Sequence, residues 1–202
     1  MNWIYISPHP DDAIYSCGGL IWEQTHSGEN VEIWTICAGN PPNAPFSDFV
    51  LSIHKRWGTG DHSMIARRSE DVVAARILKA HIYHFNLPDC IYRRKPDTGD
   101  PVIMGEKDLW QPTIREEYPL MEQISEEIEL RLPENANVVS PMGMGGHMDH
   151  HFVRSALERL KIPLFYYADY PYAADPKYKV EDWVSGERIE IQKPISVEGL
   201  EA

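Results

Sequence analysis

Cysteine is scarce and scattered in this 202-residue chain: Cys17, Cys37 and Cys90 are three in number, far apart, and form no CxxC. A disulfide framework or a thiolate zinc knot is therefore not indicated, and a reducing, cytoplasmic setting is the expectation. Positive charge is short as well, with 19 Lys and Arg against 31 Asp and Glu and a formal net charge of -12. Surfaces that hold nucleic-acid phosphates or anionic lipid need the opposite balance, so neither is expected as a partner. The one short basic run, Arg93-Arg94-Lys95, reads as a solvated loop. No stretch approaches the ~18 apolar residues of a membrane span, and the N-terminus lacks the basic start of a secretory signal, its apolar stretch ending at Pro8.

What is present is an ordinary globular composition, 43% hydrophobic and 25% charged, for which one domain over residues 1–202 is the default. Trp3 to Ile6 is a short apolar run stopped by Pro8, the pattern of a strand buried on both faces. A helix over about 13–25 and a second strand over 31–37 make a βαβ start. Residues 40–62 read as a long loop with one helical turn, 63–79 as a helix, 82–85 as a third strand and 93–112 as a flexible connection. A helix over 120–132, a strand over 137–140, a helix over about 147–160 and a strand over 164–168 complete the series. The expected architecture is a Rossmann-like α/β fold, an open, mostly parallel sheet with helices on both faces and its site at the carboxyl ends of the strands.

Two clusters of histidine and carboxylate stand in equivalent places, each after a strand and at the head of a helix: His9-Pro10-Asp11-Asp12 and His147-Met148-Asp149-His150. Loops of that kind converge on one crevice. Two imidazoles and one carboxylate form a catalytic zinc set with a position open to water, and a further acid is needed to take the water's proton. Asp11 is available for it.

These motifs, with Ser16-x-Gly18-Gly19 and Arg67-x-x-Glu70-x-x-x-Ala74-x-x-x-Leu78, resemble the LmbE/PIG-L family of zinc-dependent N-deacetylases over about residues 3–168. Members remove acetyl from N-acetylglucosamine conjugates. The resemblance implies His9, Asp12 and His150 as ligands of Zn2+, with another divalent transition metal as an alternative. It implies Asp11 as general base, a protonated His147 beside the oxyanion or leaving amine, and Asp149 orienting His147. Arg67 and Asp89 fall where the family contacts its sugar conjugate, a small-molecule partner. Ala13 replaces the acid that usually follows the Asp pair, Lys79 replaces a frequent glycine, and the chain stops at Ala202 where relatives often continue, which leaves room for a homo-oligomer that closes the pocket.

Rival readings are an iron facial triad on His147 and Asp149, a manganese phosphoesterase on Asp149-His150-His151, and a noncatalytic sugar-binding module. The iron triad usually needs a later histidine, and none follows His151. Retention of a base and three ligands counts against the binding module.

Overall fold

The structure, a computed structural model, describes residues 1–58, 62–183 and 193–201. The apolar run at the N-terminus becomes β1 (Asn2–Ser7), whose residues Ile4, Tyr5 and Ile6 are almost wholly buried because the strand is the middle one of five. It pairs in parallel with β2 (Asn30–Thr35) on one side and β4 (Asn137–Pro141) on the other. Outside these lie β3 (His81–His84) and β5 (Leu164–Tyr167), in the order β3-β2-β1-β4-β5. All of these pairings are parallel.

Alternation along the strands sorts the core into two layers. Ile4, Ile6, Trp34 and Val138 face α4 (Tyr118–Arg131) and α5 (Met148–Glu158), which contribute Ile124, Ile128, Phe152 and Leu157. Tyr5, Ile33 and Val139 face α1 (Asp12–His26) and α3 (Ser63–Ile77), which contribute Cys17, Ile21 and Ala75. A short helix α6 (Val197–Glu201) lies against α1, where Gly199 packs on Gly19.

The strand order reverses beside β1. From β1 the chain winds outward through β2 and β3, then returns to start β4 on the opposite side of β1. Loops leaving the carboxyl ends of β1 and β4 therefore diverge and open a crevice between them. The HPDD segment leaves β1 and the His147 segment leaves β4, so topology alone brings the two clusters to one place.

Two expectations need correction. The loop over 40–62 contains a full helix, α2 (Asp48–Trp57), started by the Ser47 side chain accepting from the Val50 N–H at 3.3 Å and ended by Gly58 at φ 69°. The start and stop signals are both visible in the sequence, but the surrounding Pro and Asn masked them; residues 59–61 lie outside the described residues. The stretch expected as a flexible connection is packed instead. Val102 donates to the Arg93 carbonyl at 2.9 Å, Ile103 is fully buried, and both join Val50, Ile53, Ile91 and Tyr92 in a third apolar cluster. Among the described residues no helix is long and apolar enough to cross a membrane.

Just beyond β2, Gly39 donates its N–H to Leu87 O at 2.8 Å, so close that a Cβ on it would lie 2.5 Å from Asn86 O. Backbone cannot move aside as a side-chain tip can. Gly39→Ala should cost about 1–3 kcal/mol, seen in urea unfolding as a lower midpoint at unchanged slope.

Candidate active site

Pro8 and Pro10 bracket His9, and the turn they shape is closed by Ser7, whose hydroxyl donates to His9 O at 2.7 Å and accepts from the Ala13 N–H at 3.0 Å. Asp12 begins α1, and its Oδ2 accepts from the His9 backbone N–H at 2.9 Å while lying 3.1 Å from His9 Nδ1. Asp11 precedes the helix with φ 97°, a region that side chains other than glycine rarely enter. It is held there by its N–H donating to Asp71 Oδ1 at 3.2 Å and its carbonyl accepting from Tyr15 at 2.8 Å. Asp71, from α3, is fixed in turn by Thr35 and His84, each at 2.8 Å from its Oδ2. The strained turn leaves the Asp11 carboxyl about half exposed at the mouth of the crevice, 3.6 Å from Arg67.

From the other side, His147 caps α5, its Nδ1 accepting from the Asp149 N–H at 3.2 Å. His150, one turn further on, places Nε2 3.2 Å from Asp12 Oδ2, and its Nδ1 pairs with Asp169 at 2.7 Å. Asp169 follows β5 and also accepts from the Met144 N–H at 3.0 Å. Asp149 turns inward. One of its oxygens accepts from Arg93 at 2.5 Å, and the other from the Cys90 N–H at 2.9 Å and His9 Nε2 at 2.9 Å.

Thus one carboxylate oxygen of Asp12 sits between His9 Nδ1 and His150 Nε2, and the far nitrogen of each ring is backed by a buried carboxylate. Asp89, the residue before a turn of 3-10 helix at Cys90–Tyr92, lies 3.6 Å from His9 Nε2 and 3.9 Å from Arg67. Arg67 donates to Pro10 O at 3.0 Å and stacks on Trp57 at 5.1 Å. Trp110, 42% exposed, sets its ring edge-on to His147 at 5.6 Å and approaches Tyr172 at 6.2 Å. Tyr172 lies flat over Gly145, where any Cβ would meet its ring.

Charge follows this geometry. Burial alone would raise Asp12, but His150 and His9 overcome it and hold the carboxyl well below the usual range. Burial also opposes the charged forms of His9 and His150. The surrounding carboxylates nevertheless keep His9 well above its ordinary value, Asp89 foremost, and raise His150 to about 9, Asp12 foremost. His147 behaves oppositely, because burial and then the nearby His9 push it down to about 4. Asp11 is pushed up to about 6 by loss of water around it, with Arg67 pulling the other way.

The matched family is described as PIG-L, GlcNAc-PI de-N-acetylase, and the match runs over residues 4–161. This chain belongs to the PIG-L family. It is 28% identical over 84% of its length to a 2'-N-acetylparomamine deacetylase of Niallia circulans, and 25% identical over 84% to one of Streptomyces fradiae. It spans 67% and 57% of those two relatives. Among solved structures, a teicoplanin deacetylase bound to teicoplanin superposes with a TM-score of 0.74 at 28% identity, over 86% of this chain and 72% of that one. A zinc-inhibited form of a teicoplanin deacetylase superposes with a TM-score of 0.73 at 25% identity, over 98% of this chain and 79% of that one.

The zinc that the PIG-L resemblance implies fits the donors present. Histidines that bind metal ordinarily give their second ring N–H to a carboxylate, and here Asp149 stands behind His9 and Asp169 behind His150. Among the described residues, potential donor atoms lie within 4.8 Å of one another in three sets: His9, His147 and His150; His9, Cys37 and Asp149; and Cys90, His147 and Asp149.

The structure brings all eight expected site residues together beside the carboxyl ends of β1 and β4 but changes one expected contact. Asp149 holds His9 by its carboxylate and touches His147 through its backbone N–H, so the expected Asp149 to His147 side-chain pairing is not what orients that ring. Without metal, burial and the neighbouring His9 push His147 down to about 4, which favours a neutral ring over the imidazolium expected from the sequence. With Nδ1 accepting, a neutral ring carries its hydrogen on Nε2. Asp71, Arg93 and Asp169 escaped the sequence reading. Asp169 directly follows a strand, the same signal that exposed the other two clusters, whereas Arg93 was hidden in a run of basic residues.

In chelator-treated protein, ring signals followed by NMR should show His147 neutral until about pH 4 and His150 protonated until about pH 9. Since His150 is raised in the folded chain, its contribution to stability should be complete below its unfolded value near 6.5 and lost as pH rises through about 9. A His147 signal titrating at its ordinary value would refute the buried, neutral assignment.

Proposed function

We propose that this PIG-L protein is a zinc-dependent N-deacetylase acting on an N-acetylglucosamine-type conjugate or a related N-acyl amine. The observation that carries the reading is the convergence of His9 Nδ1 and His150 Nε2 on one oxygen of Asp12, beside a half-exposed Asp11. The acetylated amino-sugar substrate named for the paromamine relatives and the teicoplanin bound by the solved one support this substrate class.

His9, Asp12 and His150 would hold the ion, which supplies a Lewis acid that acidifies water and polarises the acetyl carbonyl. Asp11 accepts a proton from the attacking water, and its raised pKa near 6 suits a group that must take and return a proton close to neutral pH. The same carboxyl then protonates the departing nitrogen, so the free amine and acetic acid leave, and the acid's remaining proton passes to the amine or to solvent. His147, neutral and with Nε2–H free of its cap bond, donates to the carbonyl oxygen as negative charge builds there. Arg67 and Asp89 offer a donor and an acceptor for sugar hydroxyls. Trp110 supplies an exposed flat face for the apolar side of the sugar or its aglycone.

An acetate-release screen of zinc-loaded protein on N-acetylglucosamine conjugates and small N-acetyl amines tests the assignment, and silence on every substrate would sink it. Asp11→Asn should keep its metal and lose ~10²-fold or more in turnover. In the wild type kcat/KM should fall on the acid side at or below about pH 6, as Asp11 takes up its proton. A nearby divalent cation can only lower that midpoint.

His150→Ala should lose tight zinc, and full occupancy at matched low free zinc would remove it from the ligand set. His147→Ala should lower kcat and kcat/KM together by ~10²-fold without metal loss, leaving any alkaline limb in place because the ring has no proton charge to lose there. An alkaline limb that disappears in this variant would restore the imidazolium role.

A further inference from the structure

Arg93, in the run that reads from sequence as solvated, is 6% exposed and is the hub of a buried ionic cluster. Its Nε donates to Glu117 Oε1 and its Nη2 to Glu117 Oε2 at 3.2 Å. Nη2 also reaches Asp149 Oδ1 at 2.5 Å, Nη1 donates to Pro88 O at 3.1 Å, and the guanidinium plane lies over Phe152 at 5.1 Å. The Asp149 side chain has no exposed surface, and those of Arg93 and Glu117 are each 4% exposed. Burying three ionised groups is costly unless their geometry is closely matched.

The arrangement divides the two oxygens of Asp149 between different tasks. Oδ1 is taken by Arg93, so Oδ2 is left facing the Cys90 N–H and His9 Nε2, both at 2.9 Å. A ring held at Nε2 can present only Nδ1 elsewhere, and Nδ1 points at Asp12 Oδ2, 3.1 Å away. Lysine could not do this, because a single ammonium lacks the planar fork that engages two carboxylates at fixed angles.

We propose that Arg93, anchored by Glu117, is the positioning residue of the metal centre: it locks the Asp149 carboxylate so that His9 is held by Nε2 and turns Nδ1 toward the ion shared with Asp12 and His150. This rests on the metal assignment above. It makes a residue remote from substrate a determinant of zinc affinity.

The test measures zinc binding by competition with a chelating dye on the full chain, with no substrate present, together with the ¹⁵N ring signals of His9 and thermal unfolding. Arg93→Gln should weaken zinc by about 10–100-fold, and the His9 ring should no longer be held as the Nε2–H tautomer. Arg93→Lys, which keeps charge without the fork, should recover only part of the loss. Folded Arg93→Gln with wild-type zinc affinity and unchanged His9 signals overturns the proposal, since a merely structural arginine would lower the unfolding temperature alone. Should Arg93→Gln fail to fold, Glu117→Gln decides: weaker zinc supports the proposal and unaltered zinc overturns it. A wild-type chain that binds no zinc overturns both this and the metal assignment, whereas a chain that binds zinc as described but releases no acetate overturns only the deacetylase reading.

Discussion

The carboxylate of Asp149, carried by α5 after β4, has no exposed surface, yet it is bonded to groups from two other strand-end segments: His9 after β1, and the Cys90 N–H and Arg93 after β3. An ionised carboxylate buried this deeply is tolerable only when its lone pairs are filled by charged or well-aimed donors, and removing one partner of such a pair typically costs about 3–5 kcal/mol. The segments are therefore held in register by electrostatics where the apolar core ends. Pro8, Pro10 and the helix start at Asp12 restrict the same loop from the sequence side.

Above this tie the crevice is built from opposites. His9 and His150 are cationic in the absence of metal, flank an anionic Asp12, and are backed by Asp149 and Asp169. Protons thus occupy ring positions that a divalent ion would take, so metal binding must release them. His147 sits within ring contact of both, and burial together with the positive His9 keeps it neutral. Two histidines three residues apart on one helix start are in this way driven to different protonation states by their surroundings alone.

Asp11 shows a different economy. Its backbone is held at φ 97° by Asp71, a fully buried carboxylate side chain that spends its remaining oxygen on Thr35 and His84. A strained residue persists only where neighbours over-determine it. Here the result is that adjacent residues, Asp11 and Asp12, turn different ways: Asp12 inward to two imidazoles and Asp11 outward to the mouth beside Arg67.

The parallel α/β architecture and the PIG-L resemblance were legible in the sequence because both are local. A central strand buried on two faces must read as an apolar run, as Trp3 to Ile6 does, and HPDD and HMDH are short contiguous motifs. Six of the expected site residues lie in those two motifs, at strand ends where loops must converge once the order β3-β2-β1-β4-β5 is adopted, whereas Arg67 and Asp89 were expected from the family resemblance alone. Helix α2 was also locally encoded, by Ser47 and Gly58, but composition hid it. What only the tertiary structure decided is which charges meet. Arg93 and Arg94 are neighbours of the same type, yet one is buried between Glu117 and Asp149 and the other donates to exposed backbone. Protonation of His147 and the partner of Asp149 depend on groups up to 140 residues distant in the chain. Desolvation and long-range pairing have no signature at the residue they act on, whereas periodicity, caps and strand ends do.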